Sequence, residues 1–385
     1  MGQKTDVAKE HTMADSTDSL QRSPLNERHE KLGAKFSEFS GWLMPLEYEG
    51  HGVLAEHKAV RDAVGIFDVS HLGKIRVTGP GAKDYLNGVL AADLNKIVPG
   101  KAQYQLLCTP EGGVVDDMIA YLLGDDDVFL IPNAANNTTV AQILAEGAPE
   151  GVNVVNQHHD FAIMAVQGHK SPDVLATMGL PTDMDYMAFE VVPVGDSTFT
   201  VCRTGYTGET GFELVVPSDH AVAVWEKVLE AGKPFGIVPC GLAARDTLRT
   251  EMGYSLHGHE ISPEIDPVSA GLTWAIGWDK PDFRGAEALR AIRANKPARR
   301  NRGLRAVGRG IPRPGMSVVP AGAGPDAEPI GVLTSGTFSP TLRIGIGLAL
   351  IDTSIKPGDK VGVVVRNRVE EFDVVKPPFV QPHVR

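Results

Sequence analysis

The sequence predicts an α+β fold of two or three domains that ends in an all-β barrel. Three observations carry this expectation. The chain has 385 residues, more than one hydrophobic core usually supports. It holds 42 Gly and 27 Pro, which imply many turns and much β structure, while 42% hydrophobic and 22% charged residues sit near globular averages. Its last stretch reads as short strands, Ile344 to Ile351, Lys360 to Arg366 and Arg368 to Val375, parted by Gly and Pro turns.

Taken in order, the first 25 residues are polar and carry Asp6, Glu10, Asp15 and Asp18. A secretory signal needs an apolar centre and a mitochondrial presequence avoids acids, so residues 1–25 read as a flexible tail on a cytoplasmic protein. Val53, His57, Val60 and Val64 then recur at helical spacing before Gly65. Tyr104 to Cys108, a Thr109-Pro110-Glu111-Gly112-Gly113 turn and Val114 to Leu123 form a hairpin pattern with both strands apolar. A second hairpin spans Thr198 to Val216 around the loop Gly205 to Gly211, which is long enough to hold a ligand. Ser218 or Asp219 is expected to cap a helix with Val222, Trp225 and Leu229 on one face, stopped by Gly232 and Pro234. Another helix is expected from Leu242 to Met252, with Ala244, Leu248 and Met252 stacked at i, i+4 and i+8. The Lys/Arg-rich run from Arg290 to Arg313 lacks steady apolar periodicity and reads as a charged linker.

Bulk chemistry narrows the function. A formal net charge of −11 argues against a general nucleic-acid binder, which needs a basic excess. Cys108, Cys202 and Cys240 are odd in number and far apart, which speaks against a disulfide framework and a structural zinc site and fits a reducing compartment. No stretch approaches the ~18–20 consecutive apolar residues of a membrane span, so no membrane partner is expected.

The sharpest local feature is Gly113 to Tyr121. Strand alternation puts Val115, Asp117, Ile119 and Tyr121 on one face and Asp116 on the other. A carboxylate among apolar neighbours costs several kcal/mol, roughly, unless it is paired, hydrogen-bonded or protonated. Asp117 is therefore a candidate functional carboxylate, and equally the pattern of a buried Asp held by backbone N–H groups or an ion pair. Glu213 lies on the face opposite Phe212 and Leu214, near the loop that carries Tyr206; there it is either a solvent-facing residue or an acceptor for the paired N–H edge of a planar ligand. Arg245 and Arg249 share a helical face with Asp246 and Glu251 nearby, which suits ligand carboxylates or ordinary surface ion pairs. His257, His259 and Glu260 superficially resemble a metal cluster, but two histidines two apart are a weak ligand pattern and no metal is expected. Gly322 and Gly324 lack the strand-to-helix context of a dinucleotide loop.

Several motifs, in order, resemble one family along nearly the whole patterned chain. They are Phe39-Ser40-Gly41-Trp42-Leu43-Met44-Pro45-Leu46, Gly65-Ile66-Phe67-Asp68-Val69-Ser70-His71-Leu72-Gly73, Asp116-Asp117, Pro132-Asn133-Ala134-Ala135-Asn136, Arg203 to Glu209, Gly211-Phe212-Glu213, Gly241 to Asp246, and Thr334 to Thr341. Together they are similar to the folate-dependent aminomethyltransferase (T-protein) family of the glycine cleavage system. The resemblance implies a three-domain cloverleaf around a central folate channel. In it a discontinuous folate-binding domain (26–72 and 159–262) is interrupted by an α+β domain (73–158), and a linker and β barrel follow (263–385). Carried over residue by residue, it makes Asp117 the catalytic aspartate, Glu213 the pterin-binding acid and Arg245 a folate contact. Tyr104, Tyr121, Asn136 and Tyr206 would line the site, and Arg385 would approach the ligand. Leu72 stands where the family usually has Met, and His257 where Tyr is common.

The implied reaction moves the methylene of an aminomethyl-dihydrolipoyl arm on the lipoylated H-protein to tetrahydrofolate, releasing ammonia. The basic residues Arg299 to Arg309 would then be either a docking surface for an acidic carrier or a solvated linker. Two rival readings reuse the scaffold. One is a folate-dependent demethylase of a small methylated compound. The other is a non-catalytic folate-binding accessory protein, whose Lys-Gly-Cys-aromatic motif is not found here.

Overall fold

Between Gly65 and Cys240 the chain weaves a six-stranded sheet, and a computed structural model describes this and the rest of residues 19–385. The strand order is Phe189–Val194, Ser197–Cys202, Gly211–Pro217, Phe161–Gln167, Gly65–Asp68 and Val238–Cys240. All neighbours are antiparallel except the last pair. One face packs on a core around Met164, Phe212, Leu214 and Trp225; the other packs on Phe67, Tyr121, Val215 and Leu248. Two-sided burial explains why these strands are apolar on both faces.

After Gly65–Asp68 the chain leaves for a second sheet and returns at Phe161, so a second lobe is inserted into the first. Its order is Lys101–Cys108, Val114–Gly124, Asp127–Pro132, Ile75–Thr78 and Asn153–Asn156. The predicted hairpin is its first pair, with Leu106 opposite Asp117 and Leu107 opposite Asp116. Its turn is held by Thr109 N–H to Gly113 O at 2.8 Å. Gly113 is needed for close approach, because a Cβ there would lie 1.8 Å from the Pro263 carbonyl oxygen. Gly113→Ala therefore forces the hairpin off the 262–265 turn; an expected loss of about 3 kcal/mol would be read as a lowered urea midpoint.

The third lobe is a closed six-stranded barrel, Arg299–Ala306, Ile344–Asp352, Gly331–Ser339, Ser317–Pro320, Lys360–Val365 and Arg368–Val375. Leu304, Leu333, Ile351, Val363 and Phe372 fill it. The Leu242–Met252 helix has the predicted bounds and ends at Gly253 in the left-handed region at φ 68°. It packs against the Gly52–Asp62 helix, the Trp42–Tyr48 strand and the barrel strand Gly331–Ser339. Its buried residues therefore include Thr247, Arg249, Thr250 and Glu251 as well as the apolar stripe.

Three expectations are corrected. Residues 1–18 of the expected tail lie outside the described residues, but residues 21–25 are built into the fold. Gln21 and Arg22 pair with Trp42 and Leu43, and Leu25 is fully buried. The expected linker is largely structured, as the helix Ala286–Asn295 and the barrel strand Arg299–Ala306. Its periodicity is hidden because only Leu304 and Ala306 face the barrel core, while half-buried Arg300 and Arg302 lay their stems along the strand. The expected cap residues Ser218 and Asp219 instead form a 3₁₀ turn ahead of the helix Ala221–Gly232. Among the described residues no helix is long and apolar enough to cross a membrane.

A folded Asp68–His29–Tyr48 chain locks the N-terminal segment down. His29 Nε2 lies 2.9 Å from Asp68 Oδ2, Tyr48 Oη 2.9 Å from His29 Nδ1, and Ser23 donates to the same carboxylate. Burial pushes the Asp68 carboxyl up, but His29, Ser23 and Ser70 together outweigh it and hold it at about 2. His29→Ala leaves that carboxylate buried without its partner and is expected to lower stability by about 3–5 kcal/mol, read as a shift in urea midpoint.

Candidate active site

The Val114–Gly124 strand presents two adjacent carboxylates. Asp117 Oδ2 accepts the Tyr104 hydroxyl at 2.9 Å and its Oδ1 accepts the Asn133 amide at 2.9 Å. Asp116 is fully buried and accepts three N–H groups, from Asn133 N (2.9 Å), Asn133 Nδ2 (2.9 Å) and Asn136 Nδ2 (2.7 Å). The alternation is as predicted, but the more deeply buried acid is Asp116, which shares its face with Val114, Met118 and Ala120. Burial pushes both carboxyls up. Asp116 reaches about 8, with the neighbouring Asp117 charge the next cause, and the Tyr104 and Asn133 hydrogen bonds pull Asp117 part of the way back.

Asn133 and Asn136 stand at either end of the short turn between the Asp127–Pro132 strand and the Asn137–Gly147 helix. Asn136 N–H donates to Asn133 O at 3.1 Å, which places both side chains over the acids. His257 completes the cluster: its Nδ1 is 3.0 Å from Asn136 Nδ2 and its Nε2 is 3.1 Å from Val114 O.

The second hairpin supplies the opposite wall. Glu213 pairs in register with Cys202 and is buried, 8% exposed, so the solvent-facing reading is corrected. Its Oε2 accepts the Thr204 hydroxyl at 2.5 Å, and Thr204 Oγ1 is 3.3 Å from the Tyr121 hydroxyl. Tyr206 donates to the Ser255 carbonyl and stacks on Tyr254 at 5.6 Å between centroids. The Arg245 guanidinium lies 4.6 Å from the Tyr206 ring centroid. The charge of Asp117 also reaches Tyr206, whose hydroxyl is pushed up mainly by burial.

Arg245 and Arg249 differ, and the surface-pair reading fails for both. Arg249 is buried and bonds Asp246 (2.8 Å), Glu260 (3.2 Å) and Ser335 on the barrel (2.8 Å). The Arg245 N–H donates to Gly241 O at 3.2 Å, but its side chain makes no hydrogen bond among the described residues, and its Nη1 is buried without a partner there. A buried N–H without an acceptor costs about 1–3 kcal/mol, so the Nη1 of half-buried Arg245 stands open to an acceptor. Among the described residues Glu213 Oε1 likewise has no protein partner, and Glu213 and Arg245 feel each other's charge without an ion pair.

The structure thus brings Asp117, Tyr104, Tyr121, Asn136, Tyr206, Glu213 and Arg245 around one region. Arg385 is exposed, and its charge reaches Tyr186. The chain just before it is tied in: Arg203 donates to Val384 O at 3.2 Å, Thr210 to His383 O at 2.8 Å, and His383 N–H to Gly208 O at 2.7 Å. The sequence reading passed over Asp116, Asn133, Thr204 and Trp274, which is 69% exposed and stacks on Tyr104 at 5.4 Å. Asn133 and Thr204 stood inside motifs already singled out. His259 and Glu260 serve the barrel contact, through Thr334 O and Thr334 Oγ1.

Comparison with known proteins decides what this arrangement belongs to. Residues 25–280 match the GCVT N-terminal domain, and residues 299–381 match the glycine cleavage T-protein C-terminal barrel domain. The chain belongs to the glycine cleavage T-protein family. It is 57% identical over 366 residues to an aminomethyltransferase of Parafrankia sp. (strain EAN1pec), covering 95% of this chain and 99% of that one. It is 52% identical over 375 residues to one of Mycobacterium avium (strain 104), covering 97% and 100%. Among solved structures it is similar to the glycine cleavage system aminomethyltransferase T from Bartonella henselae. The TM-score is 0.88 at 34% identity, over 95% of this chain and 99% of that one. Family membership makes the three-lobed arrangement with its terminal barrel the family fold.

Proposed function

We propose that this chain, acting in the cytoplasm, transfers the methylene of an aminomethyl-dihydrolipoyl arm, carried by the lipoylated H-protein, to tetrahydrofolate. The dihydrolipoyl thiol is regenerated, ammonia leaves, and methylene-tetrahydrofolate forms. The observation that carries this reading is the free donor of Arg245 facing the charge of Glu213 across a site walled by tyrosines. A reduced pterin offers paired N–H groups to the open Glu213 oxygen and an acceptor edge to Arg245. In this reading residues 26–72 and 159–262 bind the folate, 73–158 supply the acids, and the barrel in 263–385 closes the channel, with Arg385 near its mouth.

Asp117 is the group on which the chemistry turns. Tyr104 and Asn133 fix its two oxygens, so the carboxylate meets the folate amines in one orientation. A folate nitrogen first displaces the dihydrolipoyl sulfur from the methylene; as the C–N bond to ammonia then breaks, iminium character develops between that nitrogen and the methylene, and the second folate nitrogen closes on it. A fixed carboxylate in a low-dielectric site stabilises that charge or takes the proton the folate nitrogen loses. Tetrahydrofolate with aminomethyl-loaded H-protein should yield methylene-tetrahydrofolate and ammonia in equal amounts; folate binding without turnover would transfer the assignment to a demethylase or an accessory protein.

The carrier is expected to dock on the basic face of the barrel. Arg309, Arg313, Arg366 and Arg368 line a cleft of about 570 Å³ with Glu370 as its single acid, and none of the four forms an ion pair among the described residues. An acidic carrier would be steered there. KM for H-protein should rise several-fold between about 0.05 and about 0.5 M salt while tetrahydrofolate affinity stays level; a flat response rejects electrostatic docking.

A further inference from the structure

We propose that His257 is a positioning residue that fixes the side-chain amide of Asn136 with its oxygen toward the site, as an acceptor for an N–H of the reacting molecules; this rests on the folate reading above. The logic is one of hydrogen positions. Val114 offers His257 Nε2 a carbonyl oxygen at 3.1 Å, and a carbonyl only accepts, so Nε2 carries the ring hydrogen. In the neutral ring Nδ1 is then a lone pair, and the atom 3.0 Å from it must donate. That atom is Asn136 Nδ2. The same nitrogen donates to Asp116 Oδ1 at 2.7 Å, so both amide hydrogens are committed to the protein.

The amide oxygen is what remains. Asn136 Oδ1 has no protein partner among the described residues and is absent from the buried unpaired atoms of the fold, although Asn136 itself is half-buried. It therefore presents an acceptor beside the Asp116–Asp117 pair. Asp116 alone does not enforce this arrangement. A carboxyl that burial pushes up to about 8 holds a proton over part of the working range, and a protonated carboxyl serves a flipped amide as donor as readily as an ionised one serves the present amide as acceptor. With one ring hydrogen, and that one on Nε2 toward Val114, His257 has no such freedom.

The chemical class that fits is an amine or amide N–H. Two molecules bring one: the reduced pterin and the aminomethyl arm of the carrier. Separate arms distinguish them.

The test compares two variants of the full chain. His257→Asn keeps an acceptor near the Nδ1 position, whereas His257→Gln reaches the Nε2 position, keeps the Val114 bond and loses the acceptor. If the pterin is the donor, tetrahydrofolate Kd weakens about tenfold in His257→Gln and stays near wild type in His257→Asn. If the arm is the donor, Kd is unchanged and kcat/KM for the loaded H-protein shows that loss. Equal behaviour of the two variants in both arms, or losses that merely follow their thermal midpoints, overturns the proposal.

A second readout does not depend on the folate assignment. Ring ¹⁵N NMR of His257 in the free protein should show a pyridine-type Nδ1 and a pyrrole-type Nε2; the reverse tautomer overturns the proposal outright. Wild-type protein that binds no tetrahydrofolate yet shows the expected tautomer sinks the folate reading and leaves the orientation of Asn136 standing.

Discussion

Asp117→Asn should lower turnover by about 10²–10⁴-fold while tetrahydrofolate Kd changes by less than about tenfold. The substitution keeps the shape of the side chain and its contact with the Tyr104 hydroxyl, which donates to Oδ2 at 2.9 Å. In the proposed reading it removes the negative charge beside the developing iminium and the carboxylate oxygen that takes the proton of the folate nitrogen. Binding rests on other groups, the free donors of Arg245 and the open oxygen of Glu213, so affinity and turnover separate. Single-turnover formation of methylene-tetrahydrofolate, with Kd from equilibrium titration, measures both. Equal losses in the two would make Asp117 a binding residue and remove it from the chemical step.

Glu251→Ala should cost about 3–5 kcal/mol and uncouple the barrel from the rest of the chain. Glu251 is fully buried and gathers contacts from two segments, the barrel end at Ser339 to Thr341 and the Gly52–Asp62 helix. Ser339 Oγ donates at 2.5 Å and Thr341 Oγ1 at 2.9 Å from the barrel side; Arg61 donates at 2.8 Å, and His57 lies 3.3 Å away. Without the carboxylate, Arg61 keeps Glu209 and the Thr207 carbonyl, but the barrel hydroxyls lose their acceptor. All four tryptophans, Trp42, Trp225, Trp274 and Trp278, lie outside the barrel, so fluorescence reports the first two lobes and far-ultraviolet circular dichroism reports the whole. In urea the dichroism change should precede the fluorescence change in Glu251→Ala; coincident transitions would show that the barrel is held by something else.

The same residue sets part of the acid sensitivity. Burial pushes the Glu251 carboxyl up, yet His57, Ser339 and Arg61 together hold it at about 2, against 4.5 as the ordinary value. A carboxyl held down in the fold stabilises it above its unfolded pKa, and that contribution, roughly 3 kcal/mol, is lost as pH falls from about 4.5 toward 2. Asp68, also held at about 2, acts in the same direction and over nearly the same window. Glu251→Gln should therefore be less stable than the parent at pH 7 and lose less on acidification, measured as urea midpoints across that range.

Most of the architecture was legible because local and tertiary demands coincide. The Tyr104–Leu123 hairpin shows both its alternation and its Gly-rich turn, and the Leu242–Met252 helix shows an apolar stripe and a terminal glycine at Gly253. What escaped depends on distant partners. Nothing near Glu213 tells that Thr204 and Tyr121 will enclose it, and nothing near Arg249 announces Glu260 and Ser335. The Arg299–Ala306 strand reads as charged because barrel closure asks for only two apolar side chains there. His257 and His259 stand two apart with no sign in the sequence of different duties, whereas the fold points His257 at Asn136 and Val114 and sends His259 to the barrel. The residues of the site came from the family resemblance more than from pattern; the geometry supplies the reasons for their types.

The loop that carries Tyr206 is fastened from far along the chain, since Thr210 donates to the carbonyl of His383, 173 positions later. This has a consequence for biosynthesis. A nascent polypeptide can complete both sheets of the first two lobes before the barrel leaves the ribosome, but this wall of the candidate site has no clasp until residues 383 and 384 emerge and reach back to Arg203, Gly208 and Thr210. Closing so long a contour is slow compared with pairing a hairpin. That wall of the site is thus completed only by a pairing made across 173 positions of chain.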